Sequence, residues 1–412
     1  PTVLLRLGLA RAGIPTCNVP VPIDAGARVV FAPIPGDDLP TLVAEPSWWT
    51  EESDVPAPLN DDADPLFARL ATSGTTGFPK LVALTHSEFD TRWRRVHAGG
   101  PLPRDPRFLC TIAPGGGPGF GYMLQVWAQR GVVVVPDASD DFLPTIERHR
   151  VSVLCTNPFG ASRLIDRLPP GSPRPASLEQ VMLTGSRVVT ALMRQVAEHL
   201  SPDVWTMYAS SEAGLLAMGH VSNMPDIDGA TGYVLDGVDV EAVDDHDRPV
   251  PRGVIGNIRA RAPGQGHRYH GDPEATARHF RNGWFYPRDL GYLTPKGVLV
   301  ITGRADDLVN LGGSKIAPET IEGVMLGVPG IVEAAAFGVP DDLGKQVLHA
   351  AIVVRGEVGV GQLESAFHAS GGVPWPTVVL RVPKLPRNEQ GKLDRAALVR
   401  FVVAQRSRPK AP

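Results

Sequence analysis

The sequence predicts an α/β protein: a large N-terminal domain of layered sheets and helices with a β subdomain, then a small α+β C-terminal domain. Three observations predict it. From about residue 105 to residue 222, strand-like and helix-like runs alternate, the rhythm of a largely parallel sheet covered by helices. After about Ser222 the texture turns to short strands separated by tight turns. Past Asp306 helical and strand patterns mix again over about a hundred residues, the size of an independent unit. The first domain therefore reads as residues 1–305, with its β subdomain at about 222–305, and the second as 306–412.

Each element has a local reason. The opening "PTVLLRLGLARAGI" reads as an amphipathic helix, and Arg6 and Arg11 interrupt it too early for a signal peptide or membrane helix. "ARVVFAPI" reads as a short strand, and residues 36–65, rich in Asp and Pro, as a loop anchored by Trp48 and Trp49. Leu81–Leu84 is an apolar run with strand character. Thr85, with Glu88 three residues later, is a capping box, so a helix starts there and runs toward Val96. "RFLCTIA", "GVVVVP", "VSVLCTNP", "VMLTGS" and "VWTMYAS" supply strands, with helices at "LPTIERHR" and "VTALMRQVAEHL". Asn282-Gly283 marks a hairpin, and Pro295-Lys296-Gly297 a second turn. In the last part "PETIEGVMLG" and "VGQLESAFHAS" are helical, while "IVEAAAFGVP", "LHAAIVVR" and "TVVLRVP" are strands.

Composition narrows the function. The 412 residues are 43% hydrophobic with a net charge of −4, ordinary for a globular protein. No dense basic run exists, so nucleic acid is not an expected partner. No apolar stretch is long enough to span a bilayer. Cys17, Cys110 and Cys155 are widely spaced in apolar runs and read as reduced core residues, which fits the cytoplasm. His86, His220, His267, His270 and His279 show no metal-ligand spacing.

The stretch "TSGTTGFPK" carries the strongest chemistry. Thr72, Ser73, Gly74, Thr75, Thr76 and Gly77 put small hydroxyl residues and glycines in one turn, followed by Lys80. Such a turn lets backbone N–H groups approach a polyphosphate, and the lysine neutralises charge. It is neither G-x-x-x-x-G-K-[ST] nor G-x-G-x-x-G, so P-loop kinases and dinucleotide folds lose ground. A flexible hydroxyl-rich surface loop is the alternative.

In its motifs the chain resembles the adenylate-forming superfamily: acyl-CoA synthetases, aryl-CoA ligases and peptide-synthetase adenylation domains. The loop resembles the family's phosphate loop, with Leu81 where glycine often follows the lysine. Tyr208-Ala209-Ser210-Ser211-Glu212 resembles Y-G-x-T-E. The resemblance implies that Tyr208 stacks on adenine, Ser211 touches the α-phosphate and Glu212 holds Mg²⁺. Pro287-Arg288-Asp289 resembles T-G-D, implying that Asp289 accepts from the ribose, although Arg288 stands where the motif has glycine. "GRADDLV" resembles the segment joining the two domains, with Arg304 at the ribose or phosphates and Asp306 as the hinge. Gly312 and Gly313 would then line a channel for the coenzyme A arm. "LPRNEQGKLDR" resembles L-P-x-T-x-x-G-K-[IL]-x-R, with Asn388 for Thr. Lys392 is thereby the catalytic lysine between carboxylate and α-phosphate, carried on a mobile C-terminal domain. Ser186 and Arg187 stand at an adenine-contact position, and Gly115–Gly121 forms a glycine-rich loop where many relatives place an aromatic–histidine pair.

The implied function is ATP-dependent activation of an aryl or aliphatic carboxylic acid through an acyl-adenylate, then transfer to coenzyme A. The implied cofactors are ATP, Mg²⁺ and coenzyme A. Transfer to a carrier protein or an amine is the alternative, and a non-catalytic nucleotide-binding protein is the alternative of another class. An α-amino acid substrate is disfavoured, because the binding Asp of peptide-synthetase domains is missing. The stretch before the phosphate loop is shorter than the family's usual.

Overall fold

The computed structural model describes residues 64–72, 80–99, 102–112, 117–135, 142–311, 314–341, 345–388 and 391–406, together with short strands at Thr16–Asn18, Val30–Phe31 and Thr41–Leu42. The expected N-terminal helix, the Trp48–Trp49 loop, Ser73–Pro79 and Gly312–Gly313 lie outside the described residues.

A 13-stranded sheet organises the larger part. One wing is parallel, in the order Val132–Val134, Arg107–Cys110, Val153–Thr156, Gln180–Leu183 and Asp203–Ser210. Val153–Thr156 and Gln180–Leu183 are buried at every position, as strands covered on both faces must be. Alternate side chains serve two cores. Leu154, Val181 and Leu183 pack with Ile146, Leu164 and Val196 on one face. Val153, Cys155 and Met182 pack with Tyr122, Met123 and Val126 on the other. Cys110 and Cys155 are buried free thiols on neighbouring strands.

The sheet changes sense at Ser210. Asp203–Ser210 pairs antiparallel with Gly214–His220. Antiparallel pairing then runs on through Ala230–Val234, Val298–Arg304, Asp289–Leu293 and Gly256–Arg261. The antiparallel strands thus begin upstream of residue 222 and continue the parallel ladder. The turn Ser211–Ala213 sits at the switch. Asn282 and Gly283, at φ of 51° and 78°, close the expected hairpin.

Thr85 and Glu88 make both capping bonds, 2.9 Å and 3.3 Å, at the start of the helix His86–Gly99. The glycine-rich stretch read as a loop is instead helical from Gly117 to Ala128. Phe120, Tyr122, Met123 and Val126 are buried on it. Burying that face outweighs the roughly 1 kcal/mol each glycine costs a helix.

The C-terminal part is a three-stranded sheet of Ile331–Pro340, Gln346–Val354 and Val378–Arg381. Helices Pro318–Leu326 and Val360–Ala369 pack through Ile321, Met325, Leu363 and Phe367 into one core. A further helix, Arg395–Arg406, which the sequence reading did not anticipate, packs Leu398 and Val402 against Phe337 and Ala351.

Candidate active site

The phosphate-loop stretch springs from a hairpin. Leu66–Ala71 pairs antiparallel with Leu81–Thr85, and Thr72 N donates to the Lys80 carbonyl at 2.8 Å. Ser211 Oγ donates to the Ala71 carbonyl at 3.3 Å, tying the sheet switch to the base of this loop.

Motifs far apart in sequence meet here. Asp289 and Arg304 are register partners on adjacent strands, and Arg304 Nη1 donates to Asp289 Oδ1 at 2.9 Å. Tyr208, near the end of its strand, donates its hydroxyl to Asp289 Oδ2 at 2.5 Å. Burial pushes the Asp289 carboxyl above its ordinary value, with Arg304 and Tyr208 pulling the other way. Burial, helped by the Asp289 charge, raises the Tyr208 phenol well above its ordinary value, so it stays a donor. Glu212 is buried, and its Oε1 accepts from the Tyr269 hydroxyl at 2.7 Å. Lys80 Nζ lies 5.4 Å from the Tyr269 ring centre.

Lys392 joins this group from the C-terminal part. It lies on a tight hairpin in which Asn388 N donates to the Lys392 carbonyl at 2.9 Å and Lys392 N donates to Asn388 Oδ1 at 3.0 Å. Asn388 therefore serves the turn itself, as short polar side chains do. Gly391 has φ of +74°, and a Cβ there would lie 2.9 Å from the Asn157 amide nitrogen. Burial and the Arg304 charge hold the half-buried Lys392 ammonium below the ordinary lysine value, against the pull of Asp289 and Glu212. Two more contacts seat this hairpin's part on the helix Pro158–Arg167. The Arg387 guanidinium lies 3.9 Å over the Phe159 ring, and Arg355 pairs with Asp166 at 2.5 Å.

Asp306 lies beside the group. Burial pushes its carboxyl up, but the bonds and charge of Arg288 outweigh this and hold it below the ordinary value. Ser186 is exposed, and Arg187 turns its Nε toward Gly229. Among the described residues neither makes a hydrogen bond to Tyr208, Asp289 or Arg304.

Sequence reasoning missed Tyr269, the partner of Glu212, and two arginines on the capped helix. Arg92 is buried and donates to the carbonyls of Gly264 at 2.6 Å, Ser211 at 2.8 Å and Glu212. Arg95 donates to Ala213 and Pro263, both at 2.7 Å. Together they clamp the turn that carries Glu212. Their spacing of one helical turn was the available signal. His279, taken from sequence as structural, is buried and bonded through Nδ1 to the Tyr286 carbonyl.

An apolar cavity opens beside Ala209 and Ser210, lined by Leu84, Phe89, Trp93, Tyr122, Met207 and Leu215. Among the described residues no group of three His, Cys, Asp or Glu side chains could hold a metal ion. A single buried carboxylate, Glu212, still suits Mg²⁺, which usually takes one or two carboxylates plus substrate phosphates.

Comparison with known proteins identifies the family. A family model described as AMP-binding enzyme matches residues 22–270, and one described as AMP-binding enzyme C-terminal domain matches residues 320–392. The chain is 31% identical over 355 residues to an oxalate–CoA ligase of Saccharomyces cerevisiae, covering 83% of this chain and 64% of that protein. It is 30% identical over 394 residues to a 2-hydroxy-7-methoxy-5-methyl-1-naphthoate–CoA ligase of Streptomyces carzinostaticus, covering 92% of this chain and 68% of that one. The chain thus spans about two thirds of the length of these curated relatives. ATP-bound MatB from Rhodopseudomonas palustris superposes with a TM-score of 0.76 at 25% identity, covering 85% of this chain and 71% of that one.

Proposed function

The chain belongs to the AMP-binding enzyme family, and from that premise we propose that it activates a carboxylic acid with ATP and passes the acyl group to coenzyme A. One observation carries the reading. Lys392, from the far end of the chain, sits within electrostatic reach of Asp289, Arg304 and Glu212, where four separate motifs converge.

In the first step a carboxylate oxygen attacks the α-phosphorus, the bond to the β-phosphate oxygen breaks, and pyrophosphate leaves. Lys392 bridges attacking carboxylate and α-phosphate, which is positioning and charge neutralisation together. Lys80 and the hydroxyls of residues 72–76 receive the β- and γ-phosphates. Asp289, oriented by Tyr208 and Arg304, accepts from the ribose. Mg²⁺, held by Glu212, would neutralise phosphate charge. The cavity lined by Phe89, Trp93 and Met207 takes the apolar body of the acid.

In the second step the C-terminal part turns about Asp306, withdraws Lys392 and presents residues 312–313. The coenzyme A thiolate then attacks the acyl carbon and AMP leaves. The buried free thiols of Cys110 and Cys155 support a reducing compartment such as the cytoplasm.

The test is acid-dependent exchange of pyrophosphate into ATP, run over a panel of aryl and aliphatic acids. Lys392→Ala is expected to abolish exchange yet leave thioester formation from a supplied acyl-adenylate largely intact. Equal loss of both halves would remove Lys392 from the first step. Offering coenzyme A, carrier protein and amine in turn decides the acceptor.

A further inference from the structure

We propose that Arg288 is a positioning residue that locks the Asp306 hinge and so keeps Lys392 at the site. The proposal rests on the reading above that the C-terminal part turns about Asp306.

The first observation is backbone conformation. Arg288 has φ of +69°, in the left-handed region that side chains with a Cβ avoid. The motif this segment resembles has glycine there, which would adopt the conformation freely. Strain kept where glycine would relieve it points to a use for the side chain.

The second observation shows the use. Arg288 Nε and Nη2 both donate to Asp306 Oδ1, at 2.9 Å and 2.6 Å. The Arg288 carbonyl accepts from Ala305 N at 2.8 Å. Side chain and backbone of one residue thus hold two consecutive residues of the hinge. Arg304 closes the other side, with Nη2 donating to the Pro287 carbonyl at 3.3 Å and lying 3.7 Å from Asp306 Oδ2. Turning the chain at Asp306 must break the Arg288 contacts.

The lock is adjacent to the nucleotide network, because Arg288 precedes Asp289 and Asp289 bonds Arg304. It is also weak enough to open. The Arg288 and Asp306 side chains are 39% and 30% exposed, so water competes for both. Arg288 therefore biases the arrangement that places Lys392 for the first step, and the second step must release it.

The experiment replaces the lock with the residue that fits the backbone. In Arg288→Gly, amide hydrogen exchange across residues 305–311 is expected to quicken roughly two- to five-fold. The thermal midpoint should hold or rise, because glycine removes the strain. Asp306→Asn should quicken exchange similarly, and the double variant no further, since both remove one contact. Unchanged exchange in both single variants overturns the lock. Among half-reactions, pyrophosphate exchange should fall in Arg288→Gly, while thioester formation from supplied acyl-adenylate and coenzyme A holds or rises. An equal fall in both overturns the positioning role. If the unaltered protein shows no acid-dependent pyrophosphate exchange, the functional reading fails, and amide exchange still decides the lock.

Discussion

Arg92 is buried and Arg395 half-buried, each against a dense set of acceptors, in different halves of the molecule. Arg92 donates hydrogen bonds only to neutral groups, the carbonyls of Gly264, Ser211 and Glu212. Arg395 meets three carboxylates: Asp307 at 3.0 Å, Glu319 at 3.2 Å and Glu322 at 2.8 Å. Burial, with Arg95 nearby, pushes Arg92 down to about 9. Burial works on Arg395 too, but Glu322, Glu319 and Asp307 outweigh it and raise its value above the ordinary one. The difference teaches what each charge is for. Around Arg395 the acids neutralise the cation and staple Asp307 to the helix Pro318–Leu326. Around Arg92 the carbonyls carry no net charge, and Glu88 and Glu212 only partly offset the cation beside the turn that carries Glu212.

The sharpest way to break the comparison is Arg395→Met. It strands three acids, and the C-terminal part is expected to lose about 3–5 kcal/mol in denaturant unfolding. Adding Glu319→Gln and Glu322→Gln should recover much of that loss. Full loss with the acids neutralised would show that packing, not charge, makes the staple.

Arg92→Met should cost less stability, about 2 kcal/mol, because carbonyls rather than charges lose their donor. Its larger effect is on chemistry. Pyrophosphate exchange is expected to fall about 10- to 100-fold with a raised Mg²⁺ requirement, since Glu212 loses its anchor. An unaltered Mg²⁺ requirement would reduce Arg92 to a packing residue.

Glu319 sharpens the comparison through pH. Although Arg395 pulls its carboxyl down, burial prevails and raises it to about 7. Its Oε2 is buried without a hydrogen-bond partner among the described residues, and it lies 2.6 Å from where a Gly303 Cβ would stand. The folded value exceeds the unfolded one, so the folded state binds more protons between them. The stabilising contribution is complete below about 4.5 and is lost as pH rises through about 7. Glu319→Gln should flatten that slope, removing a change on the order of 3 kcal/mol. An unchanged stability profile from pH 4.5 to 7 would contradict this assignment.

The smallest effect belongs to a feature outside both clusters. Thr85→Ala removes one half of the capping box and should cost about 1 kcal/mol, read as a lower unfolding midpoint. A larger cost would mean that the cap also places Arg92 and Arg95.

Features whose cause lies within a few residues were legible in sequence. The capping box at Thr85, the hairpin turn at Asn282 and the loop springing from Thr72 and Lys80 are all of this kind. The helix Gly117–Ala128 was not, because its glycines argue for a loop and only packing of Phe120 and Tyr122 overrules them. Tyr269 was invisible, since nothing near it marks a bond to Glu212.

By itself the sequence determined the α/β class, most of the strands and helices, and the chemical identity of Lys80, Tyr208, Glu212, Asp289, Arg304 and Lys392 as site residues to expect. Only the tertiary structure decided how they act on one another. Asp289 reaches Arg304 because strand register sets them opposite, and Tyr208 reaches Asp289 across the sheet. Lys392 reaches them because Arg387, Gly391 and Arg355 seat its part of the chain on Phe159, Asn157 and Asp166. Register and docking depend on every strand between, and burial sets each charge's strength, so neither can be read from a local run of residues.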